Sequence, residues 1–335
     1  MSTILGRPIT MGGGGKLPDI FGDGSDGDLV IKAGETVTLE VPVPHQSVIE
    51  KNYTSITIEA GGTLTTADYN AGLVLRCQGD CTIHGTIDQS GKAPKTNPDS
   101  TYPYPEELQC GDGGAGGNNT HFQDAIAYGG AGMAARPYGG GYGGGGAGAW
   151  GYIADKRSPP AAGGSASTIT IDTPDDQMFS GGTGGRGRNN GAPGINGGGG
   201  GGDGGSDDGT AYVGGQGGTG PGGNGKDGKT IYNGSGGGGG AGNTGGGVVL
   251  LYIGGNLLLD GDVLCNGLDG GTGGASPSVS SKAPDGGGGG GGSIYIVHNG
   301  TQTVTGGLNV NGGTGGNAGG IGTSTVKQYV EEETA

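Results

Sequence analysis

Little in this chain could fill a conventional hydrophobic core. Among its 335 residues are one tryptophan and three phenylalanines, and hydrophobic residues of all kinds reach only 30%, below the quota that one large apolar core requires. No apolar run approaches the roughly eighteen residues of a membrane-spanning helix. Four unevenly spaced cysteines, Cys77, Cys81, Cys110 and Cys265, argue against a disulfide framework. Basic side chains are scarce too. Sixteen Lys and Arg face 31 Asp and Glu, a net charge of -15, and this excludes nucleic-acid recognition through a basic face. With 16 prolines and no glycine at every third position, collagen is excluded as well.

Glycine is what the chain has instead, at 94 positions, in runs such as 139–146 and 286–292 broken by short β-forming phrases. Glycine loses more backbone entropy on ordering than any other residue and buries nothing, so such runs order only where backbone hydrogen bonds lock neighbours together. The apolar residues are gathered into segments rich in Val, Ile, Leu, Thr and Tyr, a strand signature. These phrases share a grammar. LVLRCQGDCTIHGTIDQSG from Leu73, VVLLYIGGNLLLDGDVLCNGLDGG from Val248 and SIYIVHNGTQTVTGGLNVNGGTGG from Ser293 each read strand, turn, strand, glycine, short strand, then a polar residue leading into glycine. SITIEAGGTLTTADYNAG from Ser55 is built in the same manner. Short strands at this spacing predict stacked coils of a β-solenoid or β-roll.

The expected fold is therefore all-β and elongated, with solenoid-like coils, a polyglycine type II helix-rich insertion and little or no α-helix. Residues 1–20 read as an N-terminal attachment segment, 21–91 as a first β-coil region, 92–244 as the glycine-rich insertion and 245–335 as a second β-coil region. Extended threefold glycine helices can hydrogen-bond to parallel neighbours in a close-packed bundle; the competing reading of the insertion is a disordered low-complexity loop. A ladder of Leu75, Ile83, Ile87, Leu250, Leu258, Val263, Ile296, Val304 and Val310 is expected inside the coils.

From Phe21 the chain reads FGDGSDGDLVIKAGETVTL, then NYTSITIEAGGTLTT, GLVLRCQGDCTIHGTIDQSG and glycine blocks. This order resembles the glycine-rich proteins often encoded with bacteriophage tail genes, closely over residues 21–91 and loosely over the C-terminal copies. In its polyglycine blocks alone the chain is similar to the tail-fibre tip adhesins of T-even-type phages, whose glycine helices carry receptor-touching loops. The resemblance implies a noncatalytic virion protein of the tail fibre or tail tip, partnered by other tail proteins and a host cell-surface receptor. It would be made in the host cytoplasm, since MSTILGRPITMGGGGKLPDIF lacks the pattern of a secretory signal. A homotrimer is the usual fibre assembly, although no heptad run forces that number.

Several constellations are candidates for chemistry. Asp23, Asp26 and Asp28 crowd into a glycine-rich loop whose oxygen density suits calcium; the plainer alternative is a turn that opens the first strand. Tyr102, Tyr104, Tyr128, Tyr138, Tyr142, Trp150 and Tyr152 form an aromatic-rich stretch fit to stack on sugars or anchor a protein contact; the same rings would equally roof the glycine bundle. Cys77 and Cys81 flank a turn and are candidates to pair or to bind a metal with His84, against the commoner buried, reduced state. Carboxylate pairs such as Glu106 and Glu107, Asp175 and Asp176, or Asp207 and Asp208 keep a polysaccharide depolymerase open as an alternative. A purely structural decoration or adaptor protein and an ice-binding glycine-helix protein complete the alternatives.

Overall fold

A computed structural model describes residues 18–94, 98, 102–120, 126–144, 146–147, 216–218, 222–227, 239–275 and 282–330. The path repeats five times round three sides. Coil 1 is β1 (Asp28–Ile31), β2 (Thr36–Leu39) and β3 (Val48–Tyr53); coil 2 is β4 (Ser55–Ile58), β5 (Thr63–Thr66) and β6 (Gly72–Cys77). Coil 3 runs through β7 (Cys81–Ile83) and β8 (Thr86–Asp88), then past a small antiparallel pair, β9 (Asn119–Thr120) and β10 (Ile126–Ala127), before closing with β11 (Val248–Ile253). Coil 4 is β12 (Leu257–Leu259), β13 (Asp262–Leu264) and β14 (Ser293–His298), and coil 5 is β15 (Gln302–Val304), β16 (Gly307–Asn309) and β17 (Thr323–Gln328). Equivalent strands stack in register into three five-stranded parallel sheets, β1-β4-β7-β12-β15, β2-β5-β8-β13-β16 and β3-β6-β11-β14-β17. Among the described residues the one helical element is a 3₁₀ turn at Asp19–Phe21. The all-β solenoid read from the repeats is the fold.

Alternation decides what lines the interior. In β4 and β5, Ile56, Ile58 and Leu64 are buried while Thr57, Thr63 and Thr65 are only half-covered, as a period of two requires when one face meets the core. The third sheet breaks that alternation. Every residue of β11 and β14 is buried, because residues 18–21 and 102–110 cross its outer face and pack Phe21 and Leu108 on Val74, Leu250, Tyr252, Tyr295 and Val297. Leu250 thus belongs to this outer layer, and not to the interior ladder expected of it. Leu258 also departs from expectation: it is the outward member of β12, and Leu257 and Leu259 fill the interior on either side of it.

All five coils make their detours at the corner between the second and third strands, over residues 40–47, 67–71, 89–247, 265–292 and 310–322. Thr66, Asn70 and Gln89 are buried at that corner and satisfy one another, with Asn70 Nδ2 donating to Thr66 Oγ1 at 2.9 Å and to Gln89 Oε1 at 3.0 Å. The glycine-rich parts of the last three detours run side by side. Their hydrogen bonds step by three residues, the repeat of an extended threefold helix. Gly286, Gly289 and Gly292 donate to the carbonyls of Gly271, Leu268 and Cys265; Gly287 and Gly290 donate to Gly144 and Gly141; Gly288 and Gly291 donate to Asn317 and Gly320. In return, the carbonyls of Asp285, Gly288 and Gly291 accept from Gly117, Gly114 and Gly111, those of Gly286 and Gly289 from Gly316 and Gly313, and those of Gly287 and Gly290 from Asn243 and Gly246. Segment 284–292 is therefore ringed by six neighbours, which is hexagonal packing. Its neighbours run both parallel and antiparallel to it, whereas parallel ones alone were expected.

In space the regions bounded as 21–91 and 245–335 form one continuous stack, since β6 pairs directly with β11 along the third sheet. The bundle draws on residues 265–292 and 310–322 as well as on 92–244. Residues 1–17 of the expected attachment segment lie outside the described residues, and Phe21 is buried against the third sheet.

Close approach, and not turn geometry, fixes glycine in the bundle. A Cβ on Gly288 or Gly290 would fall well inside 3.0 Å of the carbonyl oxygen of Gly313 or Gly111. Gly290→Ala is expected to cost about 3 kcal/mol or more, at the upper end for overpacking. Gly34→Ala meets nothing within 4 Å but holds φ +77°, and is expected to cost about 1–2 kcal/mol. Denaturant titration of the two variants checks the order.

Candidate functional site

The three aspartates do not converge on a cation position. Asp23 Oδ1 accepts the Ser25 N–H at 3.0 Å within its own turn. Asp26 reaches β3 at the end of coil 1, accepting the Asn52 N–H at 2.6 Å and Lys51 Nζ at 2.9 Å; Asp28 accepts from the hydroxyls of Thr54 and Ser55. These donors hold all three carboxyls below the usual carboxylate range, the Ser25 bonds acting on Asp23, chiefly the Asn52 N–H on Asp26, and the Thr54 hydroxyl most on Asp28. Among the described residues no group of three or more His, Cys, Asp and Glu could hold a metal ion. The calcium reading gives way to the plainer one, because each carboxylate is already occupied in tying its turn or the next coil.

The aromatic stretch divides. Tyr142 is 1% exposed, packs with Ala93, Met133 and Ala241, and donates its hydroxyl to the Ala93 carbonyl at 2.9 Å, so it is a structural ring that no receptor touches. Tyr102 and Tyr104 meet edge to face at 5.3 Å and pack on the outer layer of the third sheet, and Tyr104 donates to the Ala71 carbonyl at 2.6 Å. Tyr138 lies beside Tyr104 with ring centroids 6.4 Å apart and accepts from Arg136 at 2.8 Å. Tyr128, at 54%, is the most exposed ring of the described five. Trp150 and Tyr152 lie outside the described residues, as do Asp175, Asp176, Asp207 and Asp208.

Burial raises all four thiols above their ordinary range, to about 11 at Cys77 and about 12 at Cys110, and all four are free. Cys77 Sγ lies 3.5 Å from the carbonyl oxygens of both Gly79 and Asp80, an acceptor-rich setting for a protonated thiol. His84 is engaged elsewhere, its Nδ1 2.5 Å from Asp260. Of the adjacent carboxylates Glu106 and Glu107, the latter is paired with Lys327 at 2.9 Å.

What the fold does bring together is a set of chain turns. Gly111, Gly140, Gly246, Cys265, Gly292, Val310 and Gly322 stand beside the solenoid, and from them the helices run out to Gly117, Ala147, Gly239, Gly274, Ala283 and Gly315. The described residues on either side of 148–215, 228–238 and 276–281 all lie at that far end, as do residues 314–317. Its described polar groups brace the backbone: Asn118 Oδ1 accepts from Gly129 at 2.7 Å, Asn317 Nδ2 donates to Ala115 at 2.9 Å, and Asp227 Oδ1 accepts from Ala275 at 2.6 Å. Asp285 accepts from Lys282 and from the Gly273 N–H, each at 2.9 Å. Partial burial acts to raise its pKa, and these two donors outweigh it and leave the group lowered. Tyr128 stands at this end.

Comparison with protein-family models, with curated proteins and with solved structures finds no match.

The lowered carboxyls make stability pH-dependent in a defined sense. A depressed folded-state pKa contributes stability above the unfolded value, about 3.9 for Asp, and that contribution is lost as pH falls through the folded value. Acid unfolding monitored by circular dichroism is expected to begin below about pH 4, and Asp26→Asn to flatten that dependence. The thiols give a second check. In native protein at neutral pH a thiol reagent is expected to react slowly, half-exposed Cys110 first, and all four cysteines to react at once in denaturant.

Proposed function

We propose that this chain is a noncatalytic structural protein of a phage virion, in the tail fibre or tail tip, which contributes to binding a host receptor, a glycan or a surface protein. The observation that carries this reading is that the described residues flanking the longest stretches between bundle helices, 148–215 and 228–238, lie at the far end of a bundle in which backbone packs directly on backbone. A scaffold of that kind can vary its chemistry only in its turns, and it holds them on a stiff base at one end. Binding surfaces are commonly built from loops on rigid scaffolds for the same reason. The resemblance of residues 21–91 to glycine-rich proteins encoded with tail genes supplies the virion setting.

A second reading, a decoration or adaptor protein without a ligand, is favoured by one observation. Tyr102, Tyr104 and Tyr142 are spent on packing, which leaves less aromatic surface for recognition than the sequence suggests.

Binding of the purified chain to intact candidate host cells, in competition with virion adsorption and with an assay for released sugar, separates the readings. Saturable, competing binding without sugar release is expected, and weaker binding by Tyr128→Ala. A chain found in particles that binds no cell would establish the decoration reading, and released sugar would establish glycan cleavage.

A further inference from the structure

The two ends of the solenoid are built differently, and the difference concerns two kinds of hydrogen bond: a corner bond made between all successive coils and a paired grip made between coils 3 and 4 and between coils 4 and 5. At the corner between the first and second sheets, coils 2 to 5 carry Gly62, Gly85, Gly261 and Gly306. A Cβ on Gly85, Gly261 or Gly306 would strike the carbonyl oxygen of the preceding glycine in that column. Each of those carbonyls also accepts an N–H from the following coil: Gly62 from Thr86 at 2.9 Å, Gly85 from Asp262 at 2.9 Å and Gly261 from Gly307 at 3.0 Å. Five residues after the corner, a polar residue followed by glycine grips one residue of the next coil by both of its backbone groups. Ser90 Oγ accepts the Asn266 N–H at 3.3 Å while the Gly91 N–H donates to the Asn266 carbonyl at 2.9 Å. Asn266 Oδ1 and the Gly267 N–H grip Asn311 in the same way, at 2.9 and 2.8 Å.

On coil 5 this set recurs with nothing in it. The Gly306 carbonyl, the Asn311 side chain and the Gly312 N–H take no hydrogen-bond partner among the described residues. Val304, Leu308 and Val326, which continue the core upward, are only half-buried. Ile321 and Val330, on either side of β17 in the chain, are the most exposed large hydrophobic side chains described, at 71% and 63%. Of the devices that blunt a sheet edge, β17 carries one charged residue, Lys327, which is paired with Glu107 at 2.9 Å and lies over the Tyr295 ring. Coil 1, at the opposite end, carries more: Pro42, Pro44, Glu40 and Glu50 are exposed.

A second copy of this chain does not fit the open end by its own first coil. The corner position of coil 1 is Glu35, whose carbonyl accepts the Thr63 N–H at 2.8 Å, in the place that glycine takes in every later coil. Its Cβ would meet the Gly306 carbonyl as a Cβ on Gly306 would meet that of Gly261, so head-to-tail stacking into a filament is blocked.

We propose that the coil 5 end is an assembly interface that receives an extended segment of a different protein, added parallel to coil 5 as a sixth layer. The segment it fits carries glycine at the corner and, five residues on, a residue whose N–H and C=O are both free. That is the pattern read here as Gly-x4-Ser-Gly or Gly-x4-Asn-Gly, at 85–91, 261–267 and 306–312. Main-chain bonds would supply affinity and the corner glycine specificity, as in other recognition by strand addition. The inference is independent of receptor binding, which concerns the other end of the glycine bundle.

The test uses the full chain and, as probe, a fluorescent peptide of residues 302–314, which carries the pattern. Saturable binding is expected, reduced about tenfold by Gly306→Val in the peptide and by several-fold with Asn311→Ala in the protein. Because the Asn311 side chain makes no hydrogen bond with the described residues, the thermal midpoint of that variant should stay unchanged, which separates lost binding from lost folding. No binding, or equal binding of the Gly306→Val peptide, would overturn the proposal. So would sedimentation showing that copies of the chain associate through this end and that Asn311→Ala separates them.

Discussion

Backbones in this protein approach so closely that a neighbour's carbonyl oxygen occupies the space a Cβ would need, and the rest of the structure depends on that. At segment 284–292 the condition holds all the way round, with donors and acceptors turned toward six neighbours in steps of three. The same condition holds along one corner of the solenoid, where Gly85, Gly261 and Gly306 stack on Gly62. Removing the side chains removes the hydrophobic contribution as well. What replaces it is a dense set of main-chain hydrogen bonds, each modest in net worth but costly to leave unmade in a water-poor interior. Order in one helix therefore requires its neighbours, so the bundle and the solenoid corner that feeds it stand or fall together.

Polar side chains complete what the backbone cannot. At an outer helix or outer coil some N–H groups face no further carbonyl, and Asp, Asn or Ser supplies the missing acceptor from the neighbouring layer. Asp80 does so for Asn256 at 2.7 Å, Asn256 for Thr301 at 2.9 Å, Asp269 for Thr314 at 2.6 Å and Asn224 for Thr272 at 2.9 Å. Asp26 and Asp28 belong to the same scheme in coils 1 and 2. Much of the acidic character of the chain is thus structural, which explains why carboxylates close in sequence fail to form a cation site. Asp23 is held within its own turn, and Asp26 and Asp28 are held by different partners, Asn52 and Lys51 for the one and Thr54 and Ser55 for the other.

These arrangements divide the molecule into parts with different freedom to change. Inside the bundle and at the solenoid corner, substitution meets backbone that cannot move aside. On the outer faces of the first two sheets, Thr57, Thr63, Thr82 and Thr86 need only suit a pleated surface. At the far end of the bundle the described residues Asn118, Tyr128 and Asp227 are exposed, and that asymmetry is the physical basis for seeking recognition there.

Strand, turn and glycine phrases were legible in the sequence because each depends on neighbours a few residues away: alternation placed Ile83, Ile87 and Val263 inside, and the clustering of glycine announced backbone packing. Residues whose fate depends on distant chain were not legible in that way. Leu250 reads like any inward residue until the segment 102–110 is seen to cover the outer face, and Tyr142 reads like a surface anchor until Ala93 and Ala241 close over it. By itself the sequence determined an all-β coil repeat and a requirement for glycine contacts, since period and composition are local properties. Only the tertiary structure decided which helices surround 284–292, which carboxylates clamp which coil, and which end of the stack stays open, because those partners lie as far apart in the chain as Gly111 and Gly291 and meet only once the coils are stacked.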